Sequence, residues 1–259
     1  MKSKIKDLEN LKNIDLLIID IDDTFLPHRT VSIGYNLFWK YFFMFPKNLR
    51  LINYGIKLYT LKLYREFINK IRNPLINVKS NNDLIRSWSI IIKRLEIYSK
   101  DYAISKDNIK KKIYLKTLKL YNEIRKQNPN VYVLAITQSF NICSEKDKLI
   151  IEKITKTDPI CNILKIDELH SNIFYVNNSG KIISSDIIVK DGFDKLSIAE
   201  KVMRKIKPRT IGLFIDDYDD LALLRLKNKK DIDLRIIFSG KKIRKYIINK
   251  FINSFIIPN

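Results

Sequence analysis

Three short and almost wholly apolar runs, 16–19, 131–136 and 211–215, punctuate this chain, each flanked by polar or chain-breaking residues, and a further strand is expected over 234–238. Runs of that length without polar alternation suit strands buried on both faces, as in a parallel sheet covered by helices. Between and after them the patterning predicts helices over 144–155, 194–205, 219–227 and 241–251. Strand and helix in alternation predict an α/β chain with three layers around a parallel sheet. In such sheets ligands gather at the carboxyl ends of the strands. Asp20, Thr137 and Asp216 all follow directly on apolar runs and so are expected at that edge.

Roughly a hundred residues separate the first two runs, far more than a crossover needs. They read as helices over 34–45, broken by Pro46, then 47–72, ending before Pro74, then 82–98 and 107–127. The expected division is a core of residues 1–30 and 128–259 with an inserted helical cap of 31–127, whose last helix belongs to the core as the crossover into Val131. Within the cap, the stretch 35–64 carries Phe38, Trp39, Tyr41, Phe42, Phe43, Phe45, Tyr54 and Tyr59. The plain expectation is a cap interior, since aromatic rings dominate core burial. Lys40, Lys47, Arg50 and Lys57 lie among them, which keeps open a peripheral face resting on anionic lipid.

Composition changes this picture little. Of 259 residues, 46% are apolar and 11% aromatic, which is a globular composition and not a disordered one. The formal charge of +21 invites polyanionic partners. A nucleic-acid reader, however, concentrates its cations on one element or face, and here Lys and Arg are dispersed along the whole chain. That argues for a compositional bias and against a dedicated nucleic-acid surface. Cys143 and Cys161 have no metal-ligand spacing and form no disulfide framework, which suits a reducing, cytoplasmic setting. The charged N-terminus lacks a signal-peptide core, and no stretch is long and apolar enough to predict a spanning helix.

The chemistry is concentrated in two acidic runs. Asp20-Ile21-Asp22-Asp23-Thr24 follows the first apolar run, and Asp216-Asp217-Tyr218-Asp219-Asp220 follows the third. Side chains alternate along an extended chain, so Asp20 and Asp22 point the same way. Asp216 and Asp220 are four apart and meet if a helix begins there. Asp is also a common turn and N-cap residue, but two such runs in a strongly basic chain need a further reason. Mg²⁺ supplies one, as a hard cation bound through one or two carboxylates together with water and substrate phosphate.

In chain order, Asp20-Ile21-Asp22-Asp23-Thr24, Thr137, Lys195 and Asp216…Asp220 resemble the four signatures of the haloacid dehalogenase superfamily of phosphohydrolases. The resemblance covers about 14–30 and 130–251. A long helical insert directly after the first motif, together with the segments 160–169 and 179–181, looks like the phosphoserine phosphatase-like branch.

That resemblance implies a Rossmann-like core and a set of roles. Asp20 would attack phosphorus and form an aspartyl-phosphate. Asp22 would protonate the leaving alcohol and later take a proton from water. Thr137 and Lys195 would hold the phosphoryl oxygens. Mg²⁺ would be held by the Asp20 carboxylate, the Asp22 backbone carbonyl and Asp216, with Asp220 orienting Lys195 or a metal-bound water. Ser139 stands as the alternative to Thr137, and Lys190 as the alternative to Lys195. Arg29, beside His28, is a candidate for substrate contact in a flap after the first motif, while Asp217 and Asp219 receive no role. The expected protein is a Mg²⁺-dependent phosphomonoesterase acting on a small phosphorylated metabolite. The alternatives are a lipid-phosphate phosphatase at a membrane surface, a non-catalytic polyanion-binding protein, and a phosphoacceptor signalling domain.

Overall fold

Leu16–Ile19 forms β1 at the middle of the sheet, every residue of it buried. It pairs in parallel with β2 (Tyr132–Ser144) on one side and with β5 (Thr210–Ile215) on the other. The computed structural model describes residues 11–22, 24–26, 113–144, 159–216, 218–228 and 231–238, the strand backbone at 254–256, and eight scattered helical positions between 56 and 93. With β3 (Glu168–Val176), β4 (Ile182–Asp186), β6 (Asp233–Phe238) and β7 (Ser254–Ile256), the strands form a seven-stranded sheet in the order β4-β3-β2-β1-β5-β6-β7. Only the β3–β4 pairing is antiparallel among these contacts.

Alternation along β1 explains the layers. Leu17 and Ile19 join a buried cluster with Tyr121 and Ile124 of helix α1 (Leu115–Gln127) and with Cys161 and Leu164 of the short helix α2 (Pro159–Leu164). Leu16 and Ile18 face the other way, into a cluster with Ala199, Val202 and Met203 of helix α3 (Gly192–Ile206) and with Leu223 and Leu226 of a 3₁₀ helix, Tyr218–Asn228. Burying a Leu or Ile side chain contributes about 1.5–3 kcal/mol, so a strand apolar on both faces settles only where both are covered. Gly212 on β5 leaves little room for a side chain: an added Cβ would stand 2.7 Å from Leu17 Cδ1 and 3.1 Å from Ile14 Cδ1. Gly212→Ala is therefore expected to cost about 1–3 kcal/mol by overpacking, read as a lower midpoint in urea.

Several expectations are corrected. The second strand does not stop at Ile136 but runs on to Ser144 through a bulge, so Ser144 is strand and not the first residue of a helix. The rest of that expected helix, like 241–251, lies outside the described residues. The helix before β2 starts at Leu115 rather than Asp107, because Tyr114 is extended and donates its N–H to Phe25 O at 2.8 Å. The stretch after β5 is 3₁₀, not α. Strands β3 and β4 form a hairpin that the patterning did not single out; its turn places Gly180 at φ 78° and satisfies the Ser179 and Lys181 N–H groups on Asn177 Oδ1. Of the insert, Ile85 is buried and Ser89 hydrogen-bonds Ser185 of β4. The expected helices 47–72 and 82–98 are helical at the positions described, and Tyr59 of the aromatic stretch is exposed; the rest of the cap and of that stretch lies outside the described residues, as do His28, Arg29, Asp23 and Asp217. No helix among the described residues is long and apolar enough to cross a membrane.

Candidate active site

Asp20 follows β1 on the side that α3 covers, and its backbone N–H still bonds across to Phe214 O of β5. Its Oδ1 accepts the Ile21 N–H at 2.7 Å, which fixes the carboxylate's tilt. Its Oδ2 lies 2.9 Å from Lys195 Nζ. Lys195 sits in the first turn of α3, whose start is defined by Asp191: that side chain accepts the N–H groups of Phe193 and Asp194 in an N-cap. Lys195 is only 2% exposed, so its ammonium must be fully compensated. A second carboxylate does this, with Asp220 Oδ1 at 2.6 Å. Lys190, weighed against Lys195, contributes its backbone: its carbonyl accepts from Gln138 Nε2, and its N–H donates to Asp194 Oδ2.

The end of β5 completes the cluster. Asp216 is buried, its N–H donates to Asp220 Oδ2 at 3.2 Å, and its Oδ1 accepts from Thr24 Oγ1 at 3.3 Å. Carboxylate oxygens of Asp20, Asp216 and Asp220 all lie within 4.8 Å of one another. The 3₁₀ helix that begins at Tyr218 carries Asp220 back under Asp216 and Lys195.

Thr137 and Ser139 stand on the bulge of β2. Ile136 pairs with His170 and Phe140 with Asn172, so β2 takes four steps where β3 takes two. The surplus residues are re-aimed, as bulges do. Ser139 N–H donates to Thr137 Oγ1 at 3.1 Å, and Ser139 Oγ donates to Asp22 Oδ2 at 2.5 Å. Asn172, fully buried, holds the bulge in place: its amide donates to Gln138 O and Val189 O and accepts from the N–H groups of Ile188 and Val189. It thus ties the Thr137 segment to the loop that leads into α3 and Lys195. Asn172→Leu would leave two amide N–H groups and two carbonyls without these partners, and is expected to destabilise the fold by about 2–4 kcal/mol, measured by urea denaturation.

The charge balance is unequal. Lys195 is one cation among Asp20, Asp22, Asp216 and Asp220. Burial, opposed by Lys195 and reinforced by Asp220 and Asp22, pushes Asp20 up to about 8. Burial works against the Lys195 charge, yet Asp20 and Asp220 outweigh it and hold the ammonium protonated well above its usual range. A proton on Asp20 relieves the excess negative charge; a divalent cation among the three clustered carboxylates would relieve it more fully and keep Asp20 ionised.

The architecture has solved counterparts. A phosphoserine phosphatase holding a phospho-aspartyl intermediate analogue superposes with a TM-score of 0.52 at 13% identity, covering 95% of this chain and 93% of that one. An HAD family hydrolase from Salmonella enterica subsp. enterica serovar Typhi gives 0.56 at 10% identity, over 93% and 66% of the two chains. The chain has the HAD hydrolase fold. A cytosolic 5′-nucleotidase IIIB bound to cytidine superposes with a TM-score of 0.60 at 9% identity, over 97% and 84% of the two chains. No protein-family model matches the chain, and comparison with curated proteins gives no match either.

Against the sequence reading, the fold brings Asp20, Lys195, Asp216 and Asp220 together, and sets Asp22 against Ser139 of the Thr137 bulge. Sequence reasoning did not anticipate Thr24 as a support for Asp216, nor Asn172. The signal for Asn172 is a short polar run, His170-Ser171-Asn172, set between Leu169 and the apolar run from Ile173 to Val176.

Proposed function

We propose that this chain is a Mg²⁺-dependent phosphomonoester hydrolase, phosphoserine phosphatase-like, that acts in the cytoplasm on a small phosphorylated metabolite through an aspartyl-phosphate on Asp20. The observation that carries the reading is the Lys195 ammonium 2.9 Å from Asp20 Oδ2, at a strand end where two further carboxylates converge. A lone buried carboxylate of raised pKa is a poor nucleophile. One held beside a fixed cation, in a cluster with the oxygen chemistry of a hard metal site, is a suitable one.

Both oxygens of Asp220 are engaged, by Lys195 and by the Asp216 N–H. As the resemblance implies, we assign the metal to Asp20, Asp216 and the Asp22 carbonyl, and leave Asp220 to hold Lys195. Bound there, Mg²⁺ would keep Asp20 ionised and offset the charge of the phosphoryl group. Lys195 and the Thr137 hydroxyl hold phosphoryl oxygens, placing fixed positive charge and a donor where negative charge collects. In the first half-reaction an Asp20 oxygen bonds to phosphorus, the ester P–O bond breaks, and the Asp22 carboxyl gives its proton to the departing alkoxide. In the second, water attacks phosphorus, Asp22 takes back a proton, and the Asp20–phosphorus bond breaks to release inorganic phosphate. The phospho-aspartyl intermediate analogue in the similar phosphoserine phosphatase supports this chemistry.

The first test is hydrolysis of p-nitrophenyl phosphate by the purified chain with Mg²⁺. EDTA is expected to abolish turnover and added Mg²⁺ to restore it. Mg²⁺ at about a hundred times its dissociation constant should also stabilise the fold by about 2.7 kcal/mol, visible as a higher melting temperature. Turnover that is indifferent to EDTA refutes the metal assignment. A panel of phosphorylated metabolites then identifies the alcohol.

A further inference from the structure

The peptide unit between Gln138 and Ser139 is gripped on both sides. Its carbonyl, Gln138 O, accepts from the Asn172 amide at 2.9 Å. Its N–H, that of Ser139, donates to Thr137 Oγ1 at 3.1 Å. A peptide group is planar and resists twisting, so the bond that holds its oxygen also sets the direction of its hydrogen. Thr137 branches at Cβ and has few rotamers open to it, and the tilt of that plane selects among them. We propose that Asn172 is a positioning residue for Thr137, aiming its hydroxyl at the phosphoryl group that Lys195 faces. The assignment rests on the phosphohydrolase reading and deepens it.

The register between β2 and β3 breaks between Ile136 and Phe140, so ladder pairing does not fix this peptide. Asn172 takes its own bearing from a rigid body. Its Oδ1 accepts the N–H groups of Ile188 and Val189 at 2.8 and 2.9 Å, and its amide also donates to Val189 O at 3.1 Å. Both donors and both acceptor positions of the amide are thereby used. Val189 is fully buried in the cluster that holds Ala199, Val202 and Met203 of α3. The reference for the bulge is therefore the same body that carries Lys195. Gln138 adds a second strut, from its Nε2 to Lys190 O at 2.9 Å. A shared reference keeps hydroxyl and ammonium at one spacing, as a phosphoryl group held by both requires. Asn172 is 0% exposed, so bulk water has no access to stand in for it.

Asn172→Ala is expected to lower kcat on p-nitrophenyl phosphate by about ten- to a hundred-fold, the scale of a small misplacement of a reacting group. KM should stay within about three-fold of wild type. A double-mutant cycle with Thr137→Ala separates aim from stability. Once the Thr137 hydroxyl is gone, removing Asn172 should cost less than about two-fold in kcat. Losses that multiply overturn the proposal, as does a loss confined to KM or an Asn172→Ala variant with wild-type kcat. If Asn172→Ala does not fold, Gln138→Met, which removes only the second strut, takes its place in the cycle. Its smaller loss of kcat must likewise vanish in the Thr137→Ala background, and wild-type kcat or a multiplying loss there overturns the proposal equally. Wild-type protein that hydrolyses no phosphoester would refute the phosphatase reading itself.

Discussion

Asp20→Asn is expected to lower p-nitrophenyl phosphate hydrolysis by about 10⁴- to 10⁶-fold, the scale seen when a covalent nucleophile is removed. The loss should fall in kcat, because the amide keeps the side chain's shape but not its nucleophilic oxygen, and weaker Mg²⁺ binding is expected alongside it, since Asp20 is also assigned to the metal. Stability should move the other way. Asp20 has its folded pKa raised from 3.8 to about 8, so between those values the folded state keeps a proton that the unfolded chain releases. The folded state then binds more protons, and metal-free protein loses stability as pH rises through that window. Asparagine does not titrate. Melting temperatures measured in EDTA from about pH 4 to 8 should fall more steeply for wild type than for Asp20→Asn, and Mg²⁺ should flatten the wild-type curve. A variant that keeps wild-type turnover would refute the nucleophile, and parallel melting curves would refute the burial argument.

Lys195→Met is the second large effect. Methionine fills much the same volume but leaves the carboxylates of Asp20 and Asp220 facing each other without the ammonium that now lies 2.9 and 2.6 Å from them. Breaking a buried pair by removing one partner costs about 3–5 kcal/mol, because the remaining charge stays desolvated. In metal-free protein Asp20 already carries a proton below about 8, so Asp220 is the charge left stranded at neutral pH, and a second is added as pH rises past that value. The loss should shrink at acid pH, where protonation relieves the repulsion. Turnover should fall with it, since the cation facing the phosphoryl oxygens is gone. Urea denaturation at two pH values checks the first claim. Lys195→Met paired with Asp220→Asn checks the coupling: the double variant should be more stable than Lys195→Met alone.

Three strands at the sheet's centre, β1, β2 and β5, were legible because the run that marks each is apolar on both faces, a pattern that parallel strands require and little else produces. β1 was read to the residue. β3 and β4 were missed because polar residues interrupt them: Ser171 and Asn172 are buried and hydrogen-bonded, and their partners come from distant segments. The stretch after β5 carries helical patterning, yet it forms a 3₁₀ helix, Tyr218–Asn228.

Local chemistry in the sequence thus determined where strand ends lie and which carboxylates, hydroxyls and amines they deliver. Those choices depend on apolar runs and residue types, which neighbours in the chain express directly. The tertiary structure alone decided the partnerships. Asp20 and Lys195 are 175 residues apart, Thr24 and Asp216 are 192, and Ser139 and Asp22 are 117. Hydrogen bonds over such separations depend on sheet order, on the bulge of β2 and on the layer that α3 occupies, and no local pattern encodes them.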